Sequence, residues 1–462
     1  YQHSRYFTLI MLCVVAVGIT SFRSIARQED PTLMNFIASV TTFYPSATPD
    51  RVEALVTLPL EDELREISEI DWLRSTSSGG VSSINIRLRD TLSDEALERA
   101  WSEVRDAIAD AGLKPSDVDG MTTFTLDNTD EIEIARAVGI GDLTFYSRVP
   151  HGGGAATGLI HQAVMAIASG MANTVVCYRG LNGRSGHRFS QGVSGDIITP
   201  DAMHWGWYMP SGLMTPASWV SMFNCRYMDQ VGEQKVKDAL FEIAYTTRQH
   251  AATNPHAMFA GKPFDREEYD AQKKIVGELK LYDCCLESDG ASAVIITRAD
   301  IAKDCKQGGV AIKGVGQAAA ANMESMTSFY REEIAAIPSM DIAAKAAYQQ
   351  AGLTADDIDA AVIYDAFSPI ILWQLESWGF APKGGAPDFV NSGALRLDGR
   401  LPFNTHGGQL SEAYIHGVNG IVEATRLVRG TSVNQPKKDV NHALVTSGVG
   451  VPTGGAILGK LD

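Results

Sequence analysis

The alternation of apolar and polar positions changes character along this chain. Residues 6–22 are uncharged and apolar on every face, between Arg5 and Arg23. That run sits at the lower limit for a helix that spans a bilayer. Helical stretches follow over 52–67 and over 94–107, the second carrying Trp101. From there the chain repeats itself. Ala111-Gly112-Leu113-Lys114-Pro115-Ser116-Asp117-Val118-Asp119-Gly120 recurs as Ala351-Gly352-Leu353-Thr354-Ala355-Asp356-Asp357-Ile358-Asp359-Ala360. In each copy a helix should end at the glycine, a short acidic turn should follow, and an apolar strand should begin. A second pairing agrees: Gly153-Gly154 precedes a long apolar helix ending at Gly170, and Gly407-Gly408 precedes another. The second half opens with a strand at 310–315 and then a helix at 342–349. The first half should open the same way, yet upstream of Ala111 stands the helix 94–107, so an opening strand is expected to be missing. The pattern implies an α/β protein of two duplicated halves, each supplying a buried central helix.

Composition narrows this picture only where it excludes something. The 462 residues have room for two to four domains, and 43 glycines with 45% apolar residues suit an α/β enzyme with tight turns. A net charge of −16 and a pI near 5.1, with no basic stripe, argue against a nucleic-acid partner. They leave an anionic substrate open, because binding depends on local charge. Cys13, Cys177, Cys225, Cys284, Cys285 and Cys305 show no metal-ligand spacing and read as free thiols of a reducing compartment. The ten histidines form no H-x3-H or H-E-x-x-H pattern, so no catalytic metal is expected. Gly152–Gly154, without a following lysine, is a weak phosphate-loop signal and reads better as a close approach of backbone to substrate or to the central helix.

Two stretches carry the candidate chemistry: Tyr364-Asp365-Ala366-Phe367, and Asn404-Thr405-His406-Gly407-Gly408 leading to Tyr414. They resemble the thiolase superfamily, where an N-E-A-F or H-D-C-F tetrapeptide ends a strand and an N-x-N-G-G-x5-H-P loop presents the catalytic histidine. Tyr364 then falls on the residue that opens the tetrapeptide, and Tyr414 on the histidine. Gly153 falls on the nucleophilic cysteine, and the second thiolase cysteine is absent near Thr446-Ser447-Gly448. With Asp283-Cys284-Cys285, Ser288-Asp289-Gly290-Ala291 and Asn254-Pro255, the resemblance narrows to the sterol-carrier branch. Within it the chain is most similar to lipid-transfer-protein-like aldolases that shorten steroid side chains. It covers about residues 105–462 and implies a duplicated thiolase fold, layered α-β-α-β-α, with halves at 108–305 and 306–462. An insertion at about 181–265, holding Trp205, Trp207, Tyr208 and Trp219, would cover the substrate, or pack simply as core.

The resemblance also implies the chemistry. Without a cysteine no acyl-enzyme forms at Gly153, and two phenols face a pocket shaped for an acyl-CoA. Retro-aldol cleavage of a β-hydroxyacyl-CoA needs a base for the hydroxyl proton and donors for the thioester enolate. Tyr364 and Tyr414 are the expected proton-transfer pair, in either order, with Asp365 orienting and His406 as an oxyanion donor or a loop histidine. Gly153, Gly154, Gly407 and Gly408 are the expected substrate and CoA contacts. No resident cofactor is expected beyond the CoA of the substrate. The implied partners are a second copy, as a homodimer, and a separate OB-fold and zinc-ribbon protein. Three other readings stay open: an acyl-CoA acyltransferase using Cys177 or Cys285, a non-catalytic lipid or acyl-CoA binding module, and an inactive hybrid whose missing first strand prevents folding.

The start of the chain resembles something else. Arg27-Gln28-Glu29-Asp30-Pro31, Val40-Thr41-Thr42-Phe43-Tyr44-Pro45, the helix 52–67 and Arg74-Ser75-Thr76-Ser77 resemble the opening of a resistance-nodulation-division efflux pump. Residues 1–30 would be its first transmembrane helix and flank, and 31–107 a porter βαβ fragment. No later stretch is apolar and long enough for the further spans a pump needs, so this chain cannot pump. It reads as a fusion, designed or accidental, or as two sequences joined in error. The enzyme part is expected in the cytoplasm, with residues 6–22 as a candidate inner-membrane tether.

Overall fold

A computed structural model describes residues 37–43, 48–58, 61, 70–78, 81–88, 102, 105–125, 131–150, 153–184, 188, 208, 211–213, 215–321, 323, 331–449 and 452–461. The candidate span 6–22 and Trp101, Trp205 and Trp207 lie outside them. Among the described residues no helix is long and apolar enough to cross a membrane. The chain divides into two compact units, Tyr1–Asp90 and Thr91–Asp462.

In the first unit, strands β1 (Ile37–Phe43), β2 (Ile70–Ser78) and β3 (Val81–Leu88) form an antiparallel sheet in the order β1-β3-β2. The helical turns over 49–57 sit in the same unit, and Thr57 donates to Ser82 at 2.8 Å.

In the second unit the repeat is visible down to single hydrogen bonds. The first half contains β4 (Gly120–Phe124), β5 (Phe145–Val149), β6 (Thr174–Asn182), the hairpin β7 (Lys274–Val276) and β8 (Leu279–Lys280), and β9 (Asp289–Thr297). The second contains β10 (Val310–Ala318), β11 (Ala360–Val362), β12 (His442–Ser447) and β13 (Thr453–Lys460). Each acidic turn is a short 3-10 turn closed by its own aspartate: Lys114 N–H donates to Asp117 at 2.7 Å, and Thr354 N–H to Asp357 at 2.8 Å. Two residues on, Asp119 accepts the N–H groups of Asn173 and Thr174 at the start of β6. Asp359 accepts those of Asn441 and His442 at the start of β12. Half-buried at the end of the turn, these carboxylates satisfy strand-end donors that the sheets leave unpaired.

The layers follow from side-chain alternation. On β6, Val175 and Cys177 face the centre of the unit while Val176 and Tyr178 face the other side of the sheet. Two helices, α1 (Ala156–Ala168) and α2 (Val418–Arg429), lie between the sheets and touch strands of both. Their Leu159, Ile160, Ala163, Ile421, Ala424 and Leu427 share one core with Phe124, Val175, Val445 and Leu458. The mixed α/β, thiolase-like layering expected from the sequence is present. The cap region contributes α-helices Pro216–Val231 and Glu233–Thr253, with Trp219 buried and donating its indole N–H to Leu213 O at 3.2 Å.

The two sheets differ by one strand. The second runs β10-β13-β12-β11, with β13 paired antiparallel on both sides. The first runs β5-β4-β6-β9, so β9, the counterpart of β13, is an edge among the described residues. No counterpart of β10 stands beside it there. Ile108, 2% exposed, packs with Val118, Met121 and Ile134 in the second unit, upstream of which the sequence turns pump-like. An unpaired edge is a liability for stability and solubility. Replacing residues 1–90 with a strand, helix and loop patterned on the opening of the second half should therefore raise soluble yield and melting temperature. Side-by-side thermal melts of the two chains test this; equal melting and yield would mean that the edge is covered already.

Candidate active site

The site forms where β11 runs out. Asn404, at a left-handed φ of 44°, ties the second motif to the first: its Oδ1 accepts Ile363 N–H at 2.8 Å and its Nδ2 donates to Ile363 O at 2.9 Å. Asparagine tolerates that backbone better than most residues, which explains it at this position. Asn254 donates to His406 O at 2.9 Å, and Ser288 Oγ accepts Tyr414 N–H at 3.0 Å. Both belong to the motifs singled out in the sequence, and both hold the loop that carries Tyr414.

Tyr364 is fixed by a closed ring of hydrogen bonds. Its N–H donates to Thr446 Oγ1 at 3.0 Å, Thr446 donates to Gln374 Oε1 at 2.6 Å, and Gln374 Nε2 donates back to Tyr364 O at 2.7 Å. The phenol of Tyr364 meets that of Tyr414 at 2.9 Å between oxygens. Both side chains are buried. The structure thus joins the two tyrosines that lie fifty residues apart.

Gly153 explains the missing nucleophile. A Cβ built there would fall inside the Tyr364 hydroxyl, so a cysteine and this phenol cannot occupy the site together. Gly154 is pressed against Pro452 O, Gly407 against Ala251, and Gly408 against the Asp365 carboxylate. All four glycines are accounted for by protein atoms at the place of their Cβ.

Asp365 does not point at the phenols as a partner. Its carboxylate accepts Gln409 N–H at 2.8 Å and Leu410 N–H at 3.3 Å, capping the short helix Gly408–Ser411. Burial pushes its carboxyl up to about 7 although those N–H groups pull it down. The folded chain therefore keeps a proton that the unfolded carboxyl, ordinarily near 3.8, releases. The stability from that proton is full below about 3.8 and lost as pH rises through about 7. Asp365→Asn keeps an acceptor and abolishes the titration, so its melting temperature should fall less than the parent's as pH rises through about 7. Parallel melting curves against pH would contradict this.

His406 is buried, with Nε2 3.6 Å from Glu412 and Nδ1 without a partner among the described residues. Burial lowers its pKa to about 4, so the ring is neutral at neutral pH. It lines a small cavity together with Tyr364, Asp365, Gln409, Gly417 and Thr446. Sequence reasoning missed two residues here. Arg179 on β6 is buried and donates Nε–H to His416 Nδ1 at 3.1 Å, and the His416 ring stands edge-on to Tyr414, centroids 4.9 Å apart. No motif marks either one.

Burial raises the Cys177, Cys284 and Cys285 thiols well above their ordinary range, which suppresses the thiolate. No group of three or more His, Cys, Asp or Glu side chains among the described residues is arranged to hold a metal.

The chain is similar to known proteins in two parts. The thiolase C-terminal domain-like family matches residues 320–459, and the AcrB/AcrD/AcrF family matches residues 2–140. A steroid side-chain-cleaving aldolase of Thermomonospora curvata is 50% identical over 79% of this chain and 93% of its own length. A 17-hydroxy-3-oxo-4-pregnene-20-carboxyl-CoA lyase of Mycobacterium tuberculosis is 48% identical over 79% of this chain and 94% of its own. A solved Ltp2-ChsH2(DUF35) aldolase superposes with a TM-score of 0.76 at 49% identity, covering 80% of this chain and 94% of that one.

Proposed function

The chain belongs to the thiolase-like steroid side-chain aldolases, and from that premise we propose that it cleaves a β-hydroxyacyl-CoA by retro-aldol chemistry through Tyr364 and Tyr414. The observation that carries the reading is the 2.9 Å contact of two buried phenols at a place where Gly153 has vacated the nucleophile position. One tyrosine, as its phenolate, takes the proton of the β-hydroxyl, the carbon–carbon bond opens toward the thioester, and the other, as its phenol, protonates the resulting enolate carbon. His406, with a buried Nδ1 lacking a partner among the described residues, is the candidate donor to the thioester oxygen. Gly153, Gly154, Gly407 and Gly408, whose Cβ places are filled by protein atoms, are the proposed substrate and CoA contacts through their backbone. Asp365 acts through the loop it caps. CoA enters and leaves as part of substrate and product.

The substrate class follows the relatives: a steroid bearing a hydroxyl β to the thioester, with 17-hydroxy-3-oxo-4-pregnene-20-carboxyl-CoA as the test compound. We place the reaction in the cytoplasm, where CoA esters are available. The functional halves are 108–305 and 306–462, and residues 1–107 contribute nothing to catalysis. A homodimer and a separate OB-fold and zinc-ribbon partner complete the assembly, as the two-component name of the solved relative suggests. Co-expression with such a partner should raise turnover of that compound, giving a ketone and a shortened acyl-CoA in equal amounts. Full activity from a purified monomer would refute the assembly. Bound but uncleaved substrate under every condition would favour a binding module instead.

A further inference from the structure

We propose that Arg179 and His416 are positioning residues that hold Tyr414 and bias the phenol pair toward a proton on Tyr364 and negative charge on Tyr414. The inference rests on the reading of Tyr364 and Tyr414 as the proton-transfer pair and assigns the order between them.

Four geometric facts carry it. Arg179 comes from β6 in the first half, whereas His416 and Tyr414 come from the second, so the contact crosses the duplication. A guanidinium is always a donor, and its Nε–H points at His416 Nδ1 at 3.1 Å. That nitrogen must then carry the lone pair, and the single ring proton must sit on Nε2. The imidazole is thus held neutral in one tautomer, with Tyr414 against its ring at an interplanar angle of 75°. Finally, His416 adopts a left-handed φ of 51°, immediately before Gly417 at 88°. A non-glycine residue there costs about 1 kcal/mol or more and tends to persist where the surrounding structure fixes it for a purpose. The Arg179 guanidinium also lies over the Phe124 ring, 5.4 Å from its centroid, which gives the cation a second contact.

The electrostatics agree in direction. Among the described residues, the titratable and charged groups that face Tyr414 include Tyr364, Cys285, His416 and Arg179. Burial and Cys285 push Tyr414 up, while Tyr364 and Arg179 pull it down. Tyr364 has no such relief: burial, Tyr414, Cys285 and Asp365 all push it up. Burial and Arg179 likewise keep His416 neutral. Burial leaves both phenols raised overall, and the guanidinium beside Tyr414 biases the pair toward a proton on Tyr364, which then donates to Tyr414 across the 2.9 Å contact. In the reaction the substrate hydroxyl proton moves to Tyr414 Oη and the electrons of the breaking bond pass to the thioester enolate. Tyr364 then delivers its proton to the enolate carbon. The proton on Tyr414 crosses the 2.9 Å contact to Tyr364, and the pair returns to its starting state.

The test measures kcat and kcat/KM against pH for the full chain, co-expressed with its partner, on 17-hydroxy-3-oxo-4-pregnene-20-carboxyl-CoA. Arg179→Met should lower kcat by about tenfold or more, with KM changed much less, and should move the acidic limb of kcat/KM upward by about one pH unit. Arg179→Lys, which keeps the charge, should move the limb less. His416→Asn, which tolerates the left-handed backbone, should lower kcat while retaining the melting temperature. If Arg179→Met does not fold, the Lys and Asn variants carry the same comparison. An acidic limb unmoved in every folded variant, or a loss confined to KM, overturns the positioning role. Unchanged turnover in Tyr364→Phe and Tyr414→Phe would instead overturn the reading of the phenols themselves.

Discussion

Replacing Tyr364 or Tyr414 by phenylalanine is expected to lower turnover of a β-hydroxyacyl-CoA by about 100-fold or more, the usual effect of removing a general acid or base. The two hydroxyls meet at 2.9 Å inside the protein, so each variant also leaves its partner without that hydrogen bond. A lost hydrogen bond of this kind costs folding stability by about 1 kcal/mol. A 100-fold loss of rate corresponds to about 2.7 kcal/mol in the barrier. Packing alone therefore cannot produce the expected loss in a variant that still melts near the parent. Steady-state turnover and a thermal melt on the same samples separate the two effects. Parental turnover in both phenylalanine variants would remove the phenols from the mechanism.

Restoring a cysteine at the vacated nucleophile position should not restore thiolase chemistry; Gly153→Cys should abolish the native reaction. The Cβ alone would enter the Tyr364 hydroxyl, and the Sγ adds further volume in the same place. Overpacking a filled site typically costs about 1–3 kcal/mol. Here the direct relief is to displace the phenol, whose hydroxyl is held by the 2.9 Å contact to Tyr414. Loss of turnover comparable to Tyr364→Phe is the expected result, and Gly153→Ala should fall between parent and cysteine variant. A Gly153→Cys chain with parental turnover would show that Tyr364 works from another position.

The sequence made the repeat legible because turns are local. Gly112 and Gly352 both adopt left-handed φ, and Asp117 and Asp357 both close their own turns, all within a few residues of one another. Tyr364 and Tyr414 were legible because each sits at a fixed offset from a motif. Their meeting across the loop depends on Asn404 and Ser288, which a linear reading names without saying what they bond. The sequence reads Asp365 as an orienting group without saying what it bonds; its carboxylate accepts N–H groups of a short helix that the spacing did not reveal. Arg179 and His416 left no trace, being 237 positions apart on different halves. The edge at β9 was anticipated from the asymmetry between the halves, because a duplicated fold states in one copy what the other lacks.

The central claim is that this scaffold breaks a carbon–carbon bond without a cysteine acyl-enzyme. The most direct measurement incubates the full chain and its partner with 17-hydroxy-3-oxo-4-pregnene-20-carboxyl-CoA in the absence of free CoA, following products and the intact mass of the protein during turnover. The account predicts a ketone and a shortened acyl-CoA in equal amounts, with the protein mass unchanged throughout. A dependence on added CoA, or a mass increase matching an acyl group on Cys177 or Cys285, would contradict it.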